Sequence, residues 1–230
     1  MTDKKKPLIG LIHSTRFVVQ PVHDVVASQC PNADIINIVD EGILRVLFEL
    51  GEINQRIIDW LGRMVDSAVG TGVDMAVMSC SSLSPAVNPV KEMVSIPLIK
   101  IDEPMAEQAV LKADRIGLVA TNHTTPKPST QLIEEVAQRL GKNPVIVPRV
   151  QADAFLKLNQ GDIDGHDDVV IQAVKELLDE VDVVLLAQIS IARVTAKMDA
   201  ETRKRVYSSL DFIAPKINEI LSGKNQILDS

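Results

Sequence analysis

Cysteine is rare in this chain: Cys30 and Cys80 are the only two in 230 residues, and they form no CxxC pair. The four histidines are scattered rather than grouped. Disulfide scaffolds and zinc sites both need several of these residues at characteristic short spacings. The sequence therefore predicts neither a disulfide framework nor a metal site.

Basic residues are also in deficit, because 24 Lys and Arg face 31 Asp and Glu and give a net charge of −7. Nucleic acids and anionic membranes are bound through basic surfaces, so neither is an expected partner. No run approaches the roughly 20 apolar residues of a membrane span, and the short apolar stretch before His13 lacks a signal-peptidase site. We expect a cytoplasmic protein that binds a small molecule.

The familiar glycine-rich motifs are missing as well. The chain has no GxGxxG, no GxxxxGK[ST] and no GxSxG. Nucleotide binding and serine-hydrolase chemistry thus lack their usual sequence support.

Short apolar runs alternate with longer amphipathic stretches along the whole chain. Runs of this length fit strands buried on both faces, and the stretches between them fit crossover helices, so the pattern predicts an α/β fold. The predicted strands lie at 7–14, 33–40, 73–82, 96–102, 115–121, 143–150 and 181–190. The predicted helices lie at 43–70, 85–94, 103–112, 127–140, 167–180 and 199–222, the last capped by Asp199.

Two segments of the chain recur at nearly the same interval. "IGLIHST" from Ile9 returns as "IGLVATN" from Ile116, an offset of 107, and "VDMAVMSCSSLS" from Val73 returns as "VDVVLLAQISIA" from Val181, an offset of 108. The agreement favours two related α/β halves, although buried parallel strands resemble one another in any case. Ligands bind at the carboxyl ends of such strands, and in this chain polar residues collect there.

Cys80 ends one of the repeated strands, and Ser84 and Pro85 then provide an expected N-cap and first position of a helix. A thiol beside a helix N-terminus has a pKa below its ordinary value of about 8.5, so it can act as a base. The alternative is a buried structural cysteine, which is common.

Other polar residues lie at the same strand ends. Hydroxyls and amides there can hold a carboxylate or simply cap helices; the candidates are Thr15, Ser81, Ser82, Thr121, Thr124, Gln188 and Ser190. His13 and His123 could move protons near neutral pH. We expect capping from Asp40, a solvated loop and helix start around His166, and no chemistry from Cys30.

The segments "GLIHST", "CSSLSP" at 80–85, "IPLIKIDEPM" at 96–105, "IGLVATNHTT" at 116–125 and "VDVVLLAQIS" at 181–190 together resemble the aspartate/glutamate/hydantoin racemase superfamily. The resemblance covers nearly the whole chain. It implies two pseudosymmetric α/β domains, each an open parallel sheet flanked by helices, with the active site in the cleft between them. It also implies a cofactor-independent isomerase that transfers a proton at carbon next to a carboxylate, and a homodimer.

The implied domains are 1–104 with 205–230, carrying Cys80, and 105–204, carrying Gln188. In racemases of this superfamily, two cysteines act on opposite faces of the substrate carbon. Cys80 matches the first catalytic cysteine. Ser81, Ser82, Thr121 and Thr124 match substrate-binding positions, while His13, Thr15 and Ser190 are further candidate ligands.

The second cysteine of that pattern is replaced by Gln188, whose neutral amide cannot exchange a proton. Some other group, such as His13, His123 or water, would then act opposite Cys80, or the reaction needs only one proton donor. The main hypothesis is a single-cysteine racemase or isomerase acting on a small acid. The alternatives are a single-cysteine decarboxylase and a carboxylate-binding protein without catalysis.

Overall fold

A computed structural model of the chain describes residues 6–228. The chain divides into two units, Met1–Ile101 with Phe212–Ser230, and Asp102–Asp211. Each unit contains one four-stranded sheet in which all strand pairs are parallel. The predicted fold class, two open parallel sheets flanked by helices, is confirmed.

The sheet of the first unit has the strand order β2-β1-β3-β4. Its strands are β1 (Leu8–His13), β2 (Asp34–Val39), β3 (Met75–Met78) and β4 (Leu98–Lys100). Its helices are α1 (Val19–Gln29), α2 (Glu41–Leu50), α3 (Gln55–Gly70), α4 (Ser84–Lys91) and α10 (Ile213–Leu228). The inner strands β1 and β3 are buried almost throughout, which explains their uninterrupted apolar sequences.

The sheet of the second unit has the strand order β6-β5-β7-β8. Its strands are β5 (Arg115–Ala120), β6 (Val145–Val150), β7 (Val183–Leu186) and β8 (Val206–Ser208). Its helices are α5 (Glu103–Lys112), α6 (Pro126–Leu140), α7 (Ala152–Asn159), α8 (Ile163–Leu178) and α9 (Ala200–Lys204).

The two sheets repeat each other in strand order and in register. Ile9 pairs with Met75 in the first sheet, and Ile116 pairs with Val183 in the second. These pairs are related by the same offsets of 107 and 108 that the sequence repeat shows. The repeat therefore reflects equivalent inner strands of two units with one topology.

The predicted helix at 43–70 is wrong in its continuity, since two helices occupy this stretch. Gly51 ends α2 with a φ of +71°, a left-handed conformation that a residue with a Cβ adopts only with strain. Asn54 then begins α3 by accepting a hydrogen bond from the Ile57 N–H. The amphipathic pattern alone did not reveal this break.

The predicted helix at 199–222 is also wrong. Asp199 does cap a helix, as expected, but α9 is short and is followed by strand β8, which pairs with β7. Because β8 completes the second sheet, the units separate at 211/212 and at 101/102, whereas the sequence placed these boundaries at 204/205 and 104/105. Helices α1 and α7 were not anticipated.

Within residues 6–228, no helix has both the length and the apolar character that crossing a bilayer would require.

Candidate active site

Cys80 lies two residues beyond the carboxyl end of β3 and is partly exposed. It precedes a 3₁₀ turn, Ser81–Leu83, whose first hydrogen bond runs from the Leu83 N–H to the Cys80 carbonyl at 3.1 Å. The side chain also packs against the apolar cluster of the first unit. Cys80 is therefore neither fully buried nor remote from the core, and no disulfide involves either cysteine of the described chain.

The segment after Cys80 differs from the prediction in one detail. Ser84 is the first residue of α4 rather than its N-cap; Leu83 occupies the cap position and offers no side-chain hydrogen bond. The inserted 3₁₀ turn shifts the helix start away from Cys80. Ser81 and Ser82 form this turn and are partly exposed.

His13 ends β1, the strand beside β3, and is completely buried. Its Nδ1 lies 2.8 Å from Ser79 Oγ and its Nε2 lies 3.1 Å from Asn37 Oδ1. An amide oxygen only accepts, so Nε2 carries the proton and Nδ1 accepts from the Ser79 hydroxyl. Both nitrogens are thus occupied, and burial, together with the nearby His23, depresses the pKa of His13 against the raising effect of Asn37.

This arrangement makes His13 a neutral bridge that fixes Ser79, the neighbour of Cys80. It favours a positioning role for His13 over direct contact with a ligand.

Thr15 follows β1 and begins a second 3₁₀ turn, Arg16–Val18. A groove of about 480 Å³ runs from this point along α2. It is lined by Ser14, Thr15, Glu41, Leu44, Arg45, Phe48 and Glu49. Cys80 is not among the lining residues of this groove.

In the second unit, Gln188 occupies the position two residues beyond β7 that Cys80 occupies beyond β3. Its Oε1 accepts hydrogen bonds from the Thr121 N–H at 2.7 Å and from Thr121 Oγ at 3.0 Å. Thr121 directly follows β5, the neighbouring strand, so the contact joins two strand ends. Because the oxygen is held by two donors, the amide NH₂ is the part of Gln188 left to donate to a ligand.

The loop after Thr121 is closed by Asn122, whose Oδ1 accepts from the N–H and hydroxyl groups of both Thr124 and Thr125 at 2.8–3.1 Å. Thr124 is exposed and its hydroxyl serves this loop. His123 is exposed at the tip. The structure brings Thr121 and Gln188 into contact and shows no such contact for His123 within the second unit.

Ser190 is partly exposed within the 3₁₀ segment Ile189–Lys197, which follows Gln188. The same segment carries Arg193 and Lys197, which contact a buried pair on α8, His166 and Asp167. The stretch around His166 is a helix start, as predicted, since α8 begins at Ile163, but the prediction of a solvated loop is wrong, because His166 is 0% and Asp167 1% exposed. Their spacing from Val170 and Val174, on the buried stripe of α8, is the signal that could have found them.

Two cations, Arg193 and Lys197, contact the single buried carboxylate of this cluster, and Lys197 also contacts the exposed Asp164 at 2.9 Å. Burial by itself would raise the pKa of the Asp167 carboxyl, but hydrogen bonds from Lys197, His166 and Arg193 outweigh it and hold that pKa below its usual value. Asp167 is therefore an anion inside the fold.

Within residues 6–228, no three His, Cys, Asp or Glu side chains are grouped in a way that could hold a metal ion.

The family model for Asp/Glu/hydantoin racemases matches residues 9–216 of the chain. The chain belongs to this family. No protein of curated function matches it at the level of sequence.

Solved structures of racemases share its fold. A Picrophilus torridus aspartate racemase superposes with a TM-score of 0.67 at 15% identity, covering 90% of this chain and 91% of the other. A glutamate racemase from Bacillus anthracis gives a TM-score of 0.68 at 19% identity, covering 96% and 83%. A mutant of arylmalonate decarboxylase, in its sulfate-associated form, gives 0.57 at 15% identity, covering 94% of each chain. At these identities the likeness concerns the fold of the racemase family.

Proposed function

We propose that this member of the racemase family is a cofactor-independent enzyme that transfers a proton at a carbon next to the carboxylate of a small acid, with Cys80 as the acid and base. The observation that carries the proposal is the placement of Cys80. It is a partly exposed thiol at the carboxyl edge of a parallel sheet, where ligands of such sheets bind. The two serines that follow it are partly exposed and begin the next 3₁₀ turn.

The roles of the surrounding residues are proposed from their places at the strand ends and, for Gln188, from its hydrogen bonds. Ser81, Ser82 and the amides of their turn are the proposed ligands of the substrate carboxylate in the first unit, joined by Thr15. In the second unit, Gln188 donates through its amide NH₂ because Thr121 occupies its oxygen. Ser190 lies on the same segment and is proposed as a further ligand.

The proton-transfer step needs no redox partner. The Cys80 thiolate takes the proton from the carbon, the C–H electrons become the enolate of the carboxylate, and Cys80 becomes a thiol. Donors around the carboxylate oxygens lower the free energy of this enolate. Return of a proton to the carbon, from the thiol or from water, regenerates the acid.

Gln188 favours a second candidate, a decarboxylase. Since an amide cannot supply a proton, a reaction that needs one donor suits the site as well as one that needs two. In that reaction the bond to a departing CO₂ supplies the electrons of the enolate, and the Cys80 thiol gives its proton to the carbon. His123 would enter only as an exposed group that moves protons with solvent.

The test incubates the protein in D₂O with a panel of small 2-substituted carboxylic acids and malonic acids, with NMR and mass detection. Deuterium at the carbon with the carboxylates retained favours isomerisation, and loss of CO₂ indicates decarboxylation. Cys80→Ala should lower the rate of deuterium incorporation or of CO₂ release by a factor on the order of 10² or more.

Cys30→Ala is the matched control. Cys30 is 2% exposed, and burial raises the pKa of its thiol despite the lowering effect of Asn218, so it should contribute nothing to the chemistry. Activity that survives in Cys80→Ala, or that is lost equally in Cys30→Ala, would reject the assignment. Binding of acids by Cys80→Ser, with no exchange by the parent protein, would point to a binding protein instead.

A further inference from the structure

The cluster of His166, Asp167, Arg193 and Lys197 lies at the same edge of the second sheet as Gln188. Helices α7 and α8 connect β6 to β7. Helix α8 leads into the amino end of β7, while its first turns contact the segment that follows the carboxyl end of β7, so α8 starts near the carboxyl edge of the sheet. His166 and Asp167 lie near its start. The topology therefore sets a buried carboxylate beside the segment that follows Gln188.

Asp167 is bonded through both carboxylate oxygens. Oδ1 is 2.7 Å from Arg193 Nη2 and 2.8 Å from His166 Nδ1, while Oδ2 is 2.9 Å from Lys197 Nζ. His166 Nδ1 also lies 3.0 Å from Arg193 Nη2, which only donates, so we assign the His166 proton from the shorter contact, to Nδ1 facing the Asp167 carboxylate. His166 Nε2 is then a buried acceptor with no partner among residues 6–228.

Arg193 extends this cluster to the candidate site. Its Nη1 donates to the Ser190 carbonyl at 2.8 Å while Nη2 holds Asp167. One guanidinium fork thus connects the helix to a residue two positions beyond Gln188. A flexible lysine would provide the charge but not this fixed fork.

The segment that Arg193 and Lys197 restrain is Ile189–Lys197, nine residues of 3₁₀ helix. Runs of more than about four such residues are uncommon, because their hydrogen bonds are poorly aligned. The conformation of such a segment therefore depends on contacts with residues outside it. Asp167 supplies two of them, near the middle and at the end of the segment.

Stability alone is a weak reason for this cluster. Buried ion pairs often contribute less than well-packed apolar residues of the same volume, and within the described part of the chain no group donates to His166 Nε2. A better reason for the cluster is that it fixes the position of the segment Ile189–Lys197.

We propose that Asp167, acting through Arg193, is a positioning residue that holds the segment after Gln188 and thereby orients the Gln188 amide and Ser190. Its functional meaning rests on the proposed function, in which these two residues bind the substrate.

The test uses Arg193→Met, which keeps the length of the side chain and removes the fork, and Arg193→Lys, which keeps the charge. Arg139→Met is the matched control, because Arg139 bridges Glu103 and Glu107 elsewhere in the second unit. Two measurements are made on each full-length variant: amide hydrogen exchange over residues 188–197, and the ¹⁵N NMR signal of the Gln188 side-chain NH₂, assigned with Gln188→Glu. Thermal unfolding is recorded alongside.

We expect Arg193→Met to accelerate exchange in 188–197 by tenfold or more and to shift or broaden the Gln188 signal, with Arg193→Lys in between. Arg139→Met should change neither, even where it lowers the melting temperature as much. Unchanged exchange and an unchanged Gln188 signal in Arg193→Met would overturn the proposal, whatever happens to stability. Neither measurement needs a substrate, so this result is independent of the Cys80 experiment.

Discussion

Gly117, in the middle of the inner strand β5, has no room for a side chain. A Cβ at this position would lie 2.6 Å from Leu177 Cδ2, 2.8 Å from Leu177 Cγ and 3.1 Å from Val181 Cγ2. Leu177 belongs to α8 and is 0% exposed, so it cannot turn aside into solvent. Gly117→Ala should therefore push α8 away from the sheet.

The size of the effect follows from these distances. Leu177 Cδ2 would have to retreat by roughly 1 Å to reach an ordinary carbon contact, and overpacking of this kind costs about 1–3 kcal/mol. The lower conformational entropy of alanine in the unfolded chain offsets about 0.4–1 kcal/mol of that cost. The free energy of unfolding should fall by about 1–2 kcal/mol, which corresponds to a melting temperature lower by about 2–8 °C.

Gly10 provides the control, because it is the equivalent residue of the first sheet. Its Cβ would lie 3.3 Å from both Ala68 Cβ and Val73 Cγ1, so small shifts accommodate it. Gly10→Ala should change stability by less than about 0.5 kcal/mol, because the remaining strain and the entropy gain nearly cancel. Urea titrations followed by far-UV circular dichroism measure both variants.

The double variant Gly117→Ala with Leu177→Ala tests the cause. The new Cβ then occupies space that Leu177 vacates, so the two changes should be less than additive by about 1 kcal/mol or more. Additive losses, or equal losses from the Gly10 and Gly117 substitutions, would refute the packing argument.

Three further predictions concern the candidate site and its surroundings. Burial depresses the pKa of His13 below the ordinary 6.5, so as pH falls the unfolded chain binds a proton at this residue before the folded chain does. The free energy of unfolding should therefore decline below about pH 6.5, at up to about 1.4 kcal/mol per pH unit. His13→Gln should remove this contribution in urea titrations. Asp40→Ala should cost about 1–2 kcal/mol and alter Trp60 fluorescence, because Asp40 caps α2 and accepts from Trp60 Nε1 at 2.7 Å; Asp59→Ala, on the exposed side of α3, should do neither. Gln188→Cys should add a second acid or base and raise loss of configuration at the substrate carbon, by a factor on the order of 10², as measured by chiral chromatography; an unchanged rate would contradict the assigned place of Gln188.

Much of the fold could be predicted from the sequence because the inner strands of a parallel sheet consist of continuous apolar residues. The strands that end at His13, Met78, Ala120 and Leu186 are all of this kind, and their repeat fixed the equivalence of the two units. Strand β8 was not predicted, because it has only three residues and lies in a stretch whose pattern is typical of an amphipathic helix. Its pairing with β7 is a tertiary contact that no local pattern announces.

The candidate site divides in the same way. Cys80 and Gln188 stand out because polar residues that end apolar strands are conspicuous in any sequence. The hydrogen bond that fixes Gln188 to Thr121 joins residues 67 apart in sequence. Ser79, the partner of His13, and Arg193, the partner of Asp167, are also distant in sequence, and no motif marks them. A side chain's hydrogen bonds depend on neighbours that only the folded chain supplies, so its role could be proposed from the sequence but not its orientation.

The second unit is an insertion between two parts of the first. Helix α10 returns to α1, where Asn218 donates to the Gln29 carbonyl at 3.1 Å and Ile213, Ala214 and Ile217 are fully buried. During synthesis, all strands of the inserted unit have been made once Asp211 has left the ribosome. The first unit then still lacks α10, which packs against α1. Nascent chains should thus complete the second unit before the first, with the apolar face of α1 exposed to chaperones until α10 has been made.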